Sequence, residues 1–235
     1  MSVRYDLFVN ENDVKAKTVN VKGIDFRVRP LVEYDALPRA KWDFLLARAR
    51  GSDVNPIYAL GYFMRVADYC ESCMFIIPPV ITDQSMHVIG LTTFITALTE
   101  KREMLDFARR HMWIIPIMGT MLLDQYVSMC RWLRRENIHC LYGINAMQPS
   151  VTEEGLSLKF INCSSHPRKC MSVIRRQYIR LTRLDKDALI HISNVPGFIM
   201  RRIVNIAKYT RIVSMDTTDY VKHGDVEAWL SNQLK

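Results

Sequence analysis

Residues Ile57–Phe75 read IYALGYFMRVADYCESCMF. Their apolar residues follow a helical rather than an alternating period, so the stretch predicts one helix. The same pattern continues on its C-terminal side. DQSMHVIGLTTFITALTEKREMLDFARRHMW (83–113) predicts one or two helices, and MGTMLLDQYVSMCRWLRRENI (118–138) another. On the N-terminal side, ALPRAKWDFLLARARG has Pro38 at an early-turn position and Gly51 as a stop, which predicts a short helix. Its stripe is Trp42, Leu45 and Leu46, with Arg48 and Arg50 at the end where cations suit the helix dipole.

Two segments read differently. KTVNVKGIDFRVRP (17–30) alternates around Lys22-Gly23 and predicts a β-hairpin, with Arg27 and Arg29 on one face opposite Phe26 and Val28. IHCLYGIN (138–145) and GLSLKFINCSS (155–165) predict a second hairpin. Further helices are expected near 166–184 and 197–213, and the tail HGDVEAWLSNQLK carries Val226, Trp229, Leu230 and Leu234 on one side. The expectation is a mainly α protein: two helical lobes with small β-hairpins near the N-terminus and near 138–163, and extended terminal arms. The divisions are 1–35 (arm and hairpin), 36–140 (first lobe), 141–213 (basic second lobe) and 214–235 (arm).

The net charge of +8 is uneven. Between His166 and Arg211 stand eleven Lys and Arg against Asp185 and Asp187. Such asymmetry implies an acidic partner: nucleic acid, an anionic membrane or an acidic protein surface. In SSHPRKCMSVIRRQYIRLTR (164–183), Arg168, Lys169, Arg175, Arg176, Arg180 and Arg183 fall within an arc of about 140° on a helical wheel. Val173, Ile174, Tyr178, Leu181 and Leu184 lie on the other side, and Ser165-x-Pro167 supplies a helix start. Arg176, Arg180 and Arg183 repeat at roughly 5–6 Å along the axis, near the repeat of an extended single-stranded phosphate backbone. Arg201, Asn205 and Lys208 form a similar stripe in FIMRRIVNIAKYTRIV (198–213).

Other chemistry is sparse. Cys163-x2-His166-x3-Cys170 has ligand-like spacing. Structural zinc sites show two close pairs, whereas here His139 or Cys140 would have to complete the set, so buried thiols are the reading taken and no metal or cofactor is expected. No phosphate-cradling glycine loop, H-E-x-x-H or G-x-S-x-G occurs. His87, His111, His191 and His223 are scattered singly, and no enzymatic activity is expected. Tyr62 and Tyr178 could stack on bases or pack in the core. The N-terminus lacks an apolar run of signal-peptide length, and the most apolar stretches are broken by Pro78, Pro79 and Pro116, so a soluble, non-secreted protein is expected.

Three short runs in order, LGYFMR (60–65), IIPIMGTMLLDQY (114–126) and IRRQYIRLT (174–182), resemble the SGYLARW, FFPGTEMFLETF and LRQRYGTLT runs of peribunyavirus nucleoproteins. The shared letters are Gly61, Tyr62, Arg65, Gly119, Thr120, Met121, Leu123, Arg175, Gln177, Tyr178, Leu181 and Thr182. Val66 departs from the family's Trp and Ile179 from its Gly. The resemblance implies a nucleoprotein of virion and host cytoplasm, with two helical lobes flanking a groove that holds single-stranded RNA without reading its sequence. It also implies a ring or filament of copies linked by terminal arms, and a viral polymerase as a further partner. On this reading Arg168, Lys169, Arg175, Arg176, Arg180, Arg183, Arg201 and Lys208 contact RNA, and Arg65, Arg48 and Arg50 face them from the other lobe. Trp229, Leu230, Leu234 and Phe8 mediate self-assembly. The alternative is a viral matrix or capsid-layer protein whose basic face meets an anionic membrane.

Overall fold

The stretch Ile57–Phe75 does not form one helix. In the computed structural model α1 (Pro56–Ala67) ends at a turn, and the chain re-emerges as a strand, β5 (Cys70–Ile76). The structure describes residues 4–15, 17–33, 36–49, 56–79, 84–120, 122–146, 149–151, 158–160, 166–208, 210–217 and 225–235.

That strand is one of eight that close into a parallel barrel. The others are β1 (Arg4–Asn10), β3 (Ile24–Glu33), β4 (Trp42–Arg48), β6 (Met112–Ile117), β7 (His139–Asn145), β10 (Ile190–Ser193) and β11 (Ile212–Asp216). β1 hydrogen-bonds β11 on one side and β3 on the other, which closes the ring β1-β3-β4-β5-β6-β7-β10-β11. The remaining helices are α2 (Gln84–Glu100), α3 (Arg102–Arg110), α4 (Leu123–Arg135), α5 (Pro167–Leu184), α6 (Gly197–Ala207) and α7 (Val226–Gln233). They follow β5 (α2 and α3), β6, β7, β10 and β11, and α1 follows β4. This alternation of parallel strands and crossover helices is an α/β barrel.

The mainly α, two-lobed expectation is therefore overturned. No boundary separates 36–140 from 141–213, because β6 pairs with β7 and β7 with β10 in one sheet. The helix expected around Trp42–Arg48 is β4, with Leu45, Leu46 and Ala47 buried on both faces of the sheet. The second hairpin fails too. IHCLYGIN is the parallel strand β7, and a separate two-stranded sheet joins β8 (Pro149–Val151) to β9 (Leu158–Phe160). The physical reason is common to all these corrections. A strand covered on both faces is apolar throughout, so a short apolar run loses the period-two signature and reads equally as a buried helix.

Around Lys22-Gly23 a hairpin does form. Both residues have positive φ (52° and 74°), as a two-residue turn with the right twist requires. β2 (Thr18–Val21) pairs antiparallel with the first half of β3, while β4 pairs with its last residues. Arg27 and Arg29 share a face, as the alternation predicts, and that face is the barrel lumen, where both guanidiniums hold Asp6.

Two apolar shells hold the fold. Phe8, Leu31, Leu46, Met74, Ile76, Ile114 and Leu141 fill the lumen. A larger layer lies between sheet and helices, including Phe63, Phe75, Phe94, Phe107 and Trp113 in ring contact with one another. β7 can approach β6 because residue 143 is glycine: a Cβ there would stand 2.6 Å from Ile114 Cγ2. The tail folds back, with Leu230 and Leu234 buried and Trp229 packed against the outer layer. No helix among the described residues is long and apolar enough to cross a membrane.

Candidate active site

Side chains alternate along a strand, so each lumen-facing column continues toward the carboxyl end of the barrel. On β3 the column runs Arg27, Arg29, Leu31, Glu33, and on β4 it runs Phe44, Leu46, Arg48. β7 contributes Leu141, Gly143 and Asn145. The lumen is thus layered: Asp6 with Arg27 and Arg29 at the amino end, an apolar plug in the middle, and a polar cluster at the carboxyl end.

Arg48 is the hub of that cluster. Its Nη1 donates to Glu33 Oε1 (3.1 Å) and Asn194 Oδ1 (2.6 Å), and its Nη2 donates to Asp216 Oδ1 (2.7 Å). His191 lies within 2.8 Å of Asp216 Oδ2 through Nε2 and within 2.9 Å of Ser214 Oγ through Nδ1. An ionised Asp216 accepts only, so His191 Nε2 carries a proton and donates it in a hydrogen bond to Oδ2, while Nδ1 hydrogen-bonds the Ser214 hydroxyl. Asn194 follows β10 with a positive φ of 54°, a conformation asparagine tolerates well. Its N–H donates to Asp216 Oδ1 (2.9 Å), and its side-chain amide donates to Asn145 Oδ1 (3.3 Å). Five strand ends, those of β3, β4, β7, β10 and β11, thereby converge through one guanidinium.

The electrostatics separate the two carboxyls. Asp216 is fully buried, which alone would raise its pKa. Arg48, His191 and the Asn194 amide more than offset this and hold it well below the usual carboxylate range. Glu33 moves the other way. Burial is the main cause and the Asp216 charge adds to it, while Arg48 opposes, and the net pKa is raised. One guanidinium shared by two carboxylates favours one over the other, so as pH falls Glu33 protonates before Asp216.

Of the cations assigned from sequence, only Arg48 lies in this cluster, and it is buried in a lumen rather than facing a groove. Arg50 lies outside the described residues. Arg65 is exposed on α1, and Arg168, Lys169, Arg175, Arg176, Arg180 and Arg183 are exposed on α5, with Arg201 and Lys208 on α6. α1 sits between β4 and β5 and α5 between β7 and β10, separated around the ring by α2, α3 and α4. The expected facing walls therefore do not face each other. Phe8 is enclosed in the lumen, and Tyr62 is buried rather than available for stacking. Tyr178 is half-buried, its hydroxyl accepting from the Arg211 N–H.

Cys163 lies outside the described residues, His166 is exposed at the start of α5, and Cys170 is buried and disulfide-bonded. Among the described residues no group of three His, Cys, Asp or Glu is placed to hold a metal. The buried-thiol reading fits Cys130 and Cys140, but Cys70 and Cys73 are joined by a disulfide.

Sequence reading missed Glu33, Asn145, His191, Asn194 and Asp216. A partial signal exists: PLVE, FLLAR and YGIN are each a short apolar run closing on a polar residue, at Glu33, Arg48 and Asn145, whereas HISN and VSMD close on Asn194 and Asp216 with polar residues already inside them. In a parallel barrel this is where functional side chains sit. No protein family matches the chain and no curated protein matches it, so its grouping rests on the α/β barrel alone.

Proposed function

We propose that this chain is an α/β-barrel enzyme that transfers a proton to or from a small polar substrate bound at the carboxyl end of the barrel. The observation that carries this reading is the carboxyl-end cluster itself, in which the buried Arg48 guanidinium holds Glu33, Asn194 and Asp216 from the ends of separate strands. Glu33 is the general acid–base. Its side chain is 21% exposed, against none for Asp216, and a carboxyl with a raised pKa exchanges protons more readily near neutrality. Asp216 is a positioning residue. It is enclosed by Arg48, His191 and the Asn194 amide, and it holds the guanidinium and the imidazole in place. The amides of Asn145 and Asn194, both half-exposed at the rim, supply hydrogen-bonding groups to orient a substrate.

Solution NMR in D2O with a panel of sugar phosphates, hydroxy and keto acids and nucleosides tests the reading. The expected result is turnover or solvent-deuterium incorporation on at least one compound by the native protein, lost in a folded Glu33→Gln variant. Turnover that survives in Glu33→Gln, or none across the panel, overturns it.

A further inference from the structure

We propose that the outer flank formed by α5 and α6, with the adjoining C-terminal end of α4, binds the phosphodiester backbone of nucleic acid. This goes beyond the barrel mouth and does not depend on catalysis there. All eleven Lys and Arg between His166 and Arg211 are exposed. Among the described residues none of them takes part in an ion pair, although Arg27, Arg29, Arg48, Arg109 and Arg134 elsewhere all do. The two local acids do not offset them. Asp185 is buried and already taken by Tyr142 and Arg134, and Asp187 stands alone in the following turn.

The arrangement is linear. α5 packs with Cys170, Ile174, Gln177 and Leu181 inward, which leaves Arg168, Lys169, Arg175, Arg176, Arg180 and Arg183 along a line of about 22 Å. At its lower end the line opens into a cavity of about 520 Å³ lined by Arg131, Arg135, Arg183 and Lys186 together with the two local acids, Asp185 and Asp187. Arg134 also lines it, and its Nη2 is buried with no hydrogen-bond partner among the described residues. Helix capping accounts for Arg131, which donates to the Leu184 carbonyl, and the helix dipole suits Arg134, Arg135 and Arg183. It leaves the cations in the first three turns of α5, and Arg202 on α6, without a structural task among the described residues, whereas Arg201 donates to the Lys235 carbonyl.

Charge complementarity selects the partner. Eight of the eleven are arginines, whose planar forks match phosphate oxygens. A membrane-surface helix would turn an apolar face outward with its cations, whereas the apolar face of α5 is spent on the barrel. The surface is the outside of a barrel, so it contacts a backbone along one side instead of enclosing it.

Fluorescence anisotropy with a labelled random 20-mer RNA, the same sequence as DNA, and vesicles containing 30% phosphatidylserine tests the proposal across a salt series. Native protein should bind the nucleic acids. Arg176→Ala/Arg180→Ala/Arg183→Ala should weaken binding at least tenfold and make the slope of log K against log salt shallower by about 2. Arg65→Ala, on a different flank, should change neither. Unchanged affinity or slope in the triple variant, an equal loss in Arg65→Ala, or binding to vesicles without binding to nucleic acid would overturn it. The substituted side chains are exposed and unpaired among the described residues, so the variants are expected to fold.

Discussion

Replacing Asp216 by Asn removes one charge from the centre of the carboxyl-end cluster and changes little else in shape. Asp216 is 0% exposed and Arg48 8%. The carboxylate accepts from Arg48 at 2.7 Å, from His191 at 2.8 Å and from the Asn194 N–H at 2.9 Å. Breaking a buried pair on one side costs about 3–5 kcal/mol, because the remaining charge is left uncompensated. Arg48 retains Glu33 and Asn194, which places the expected loss at the lower end, about 3 kcal/mol at pH 7. For a chain of this size that is a fall of roughly 6–12 °C in Tm. The pH dependence follows from the direction of the shift. Folded Asp216 has a depressed pKa, so its contribution is complete above the ordinary carboxylate value of 3.8 and fades as pH falls below it. Urea unfolding followed by the fluorescence of buried Trp113 and its neighbours, at pH 7 and again at pH 3, measures both effects. A loss below about 1 kcal/mol at pH 7, or a difference that does not shrink at the acid end, would refute the role given to this ion pair.

Burial holds His111 at about 4, with Arg110 adding to the effect. Its neutral form should stabilise the protein above pH 6.5, with the contribution lost between 6.5 and 4, and His111→Gln should flatten that acid limb in a stability–pH profile. Glu33 is displaced upward from 4.5, so its contribution declines as pH rises through the raised value, and Glu33→Gln should abolish that decline along with the matching limb of any pH–rate profile. Gly143→Ala forces a Cβ against Ile114 and should cost about 1–3 kcal/mol in chemical denaturation. Leu230→Ala should cost about 2–5 kcal/mol, since Leu230 is fully buried in this chain's own core. Wild-type stability in that variant would instead mean that the tail belongs on another molecule.

Much of the helical half of this protein is local information. α4, α5 and α6 are long enough for their period to show, and α5 carries Pro167 in its first turn. The hairpin at Lys22-Gly23 is equally local, because two positive φ angles and an alternating pattern lie within a few residues of each other. The uneven charge is a property of composition, and the exposure of the six cations of α5 agrees with the amphipathic wheel.

The strands and the site were settled at longer range. CESCMFI, MWIIPI, IHIS and IVSMD are too short for periodicity to separate strand from buried helix. Only the supply of a parallel neighbour on each edge, completed when β1 meets β11, makes the strand the better conformation. Glu33, Arg48, Asn145, His191, Asn194 and Asp216 look like unrelated polar residues along the chain. They become one site because barrel closure brings five strand ends to the same rim, where a buried guanidinium requires the carboxylates that surround it.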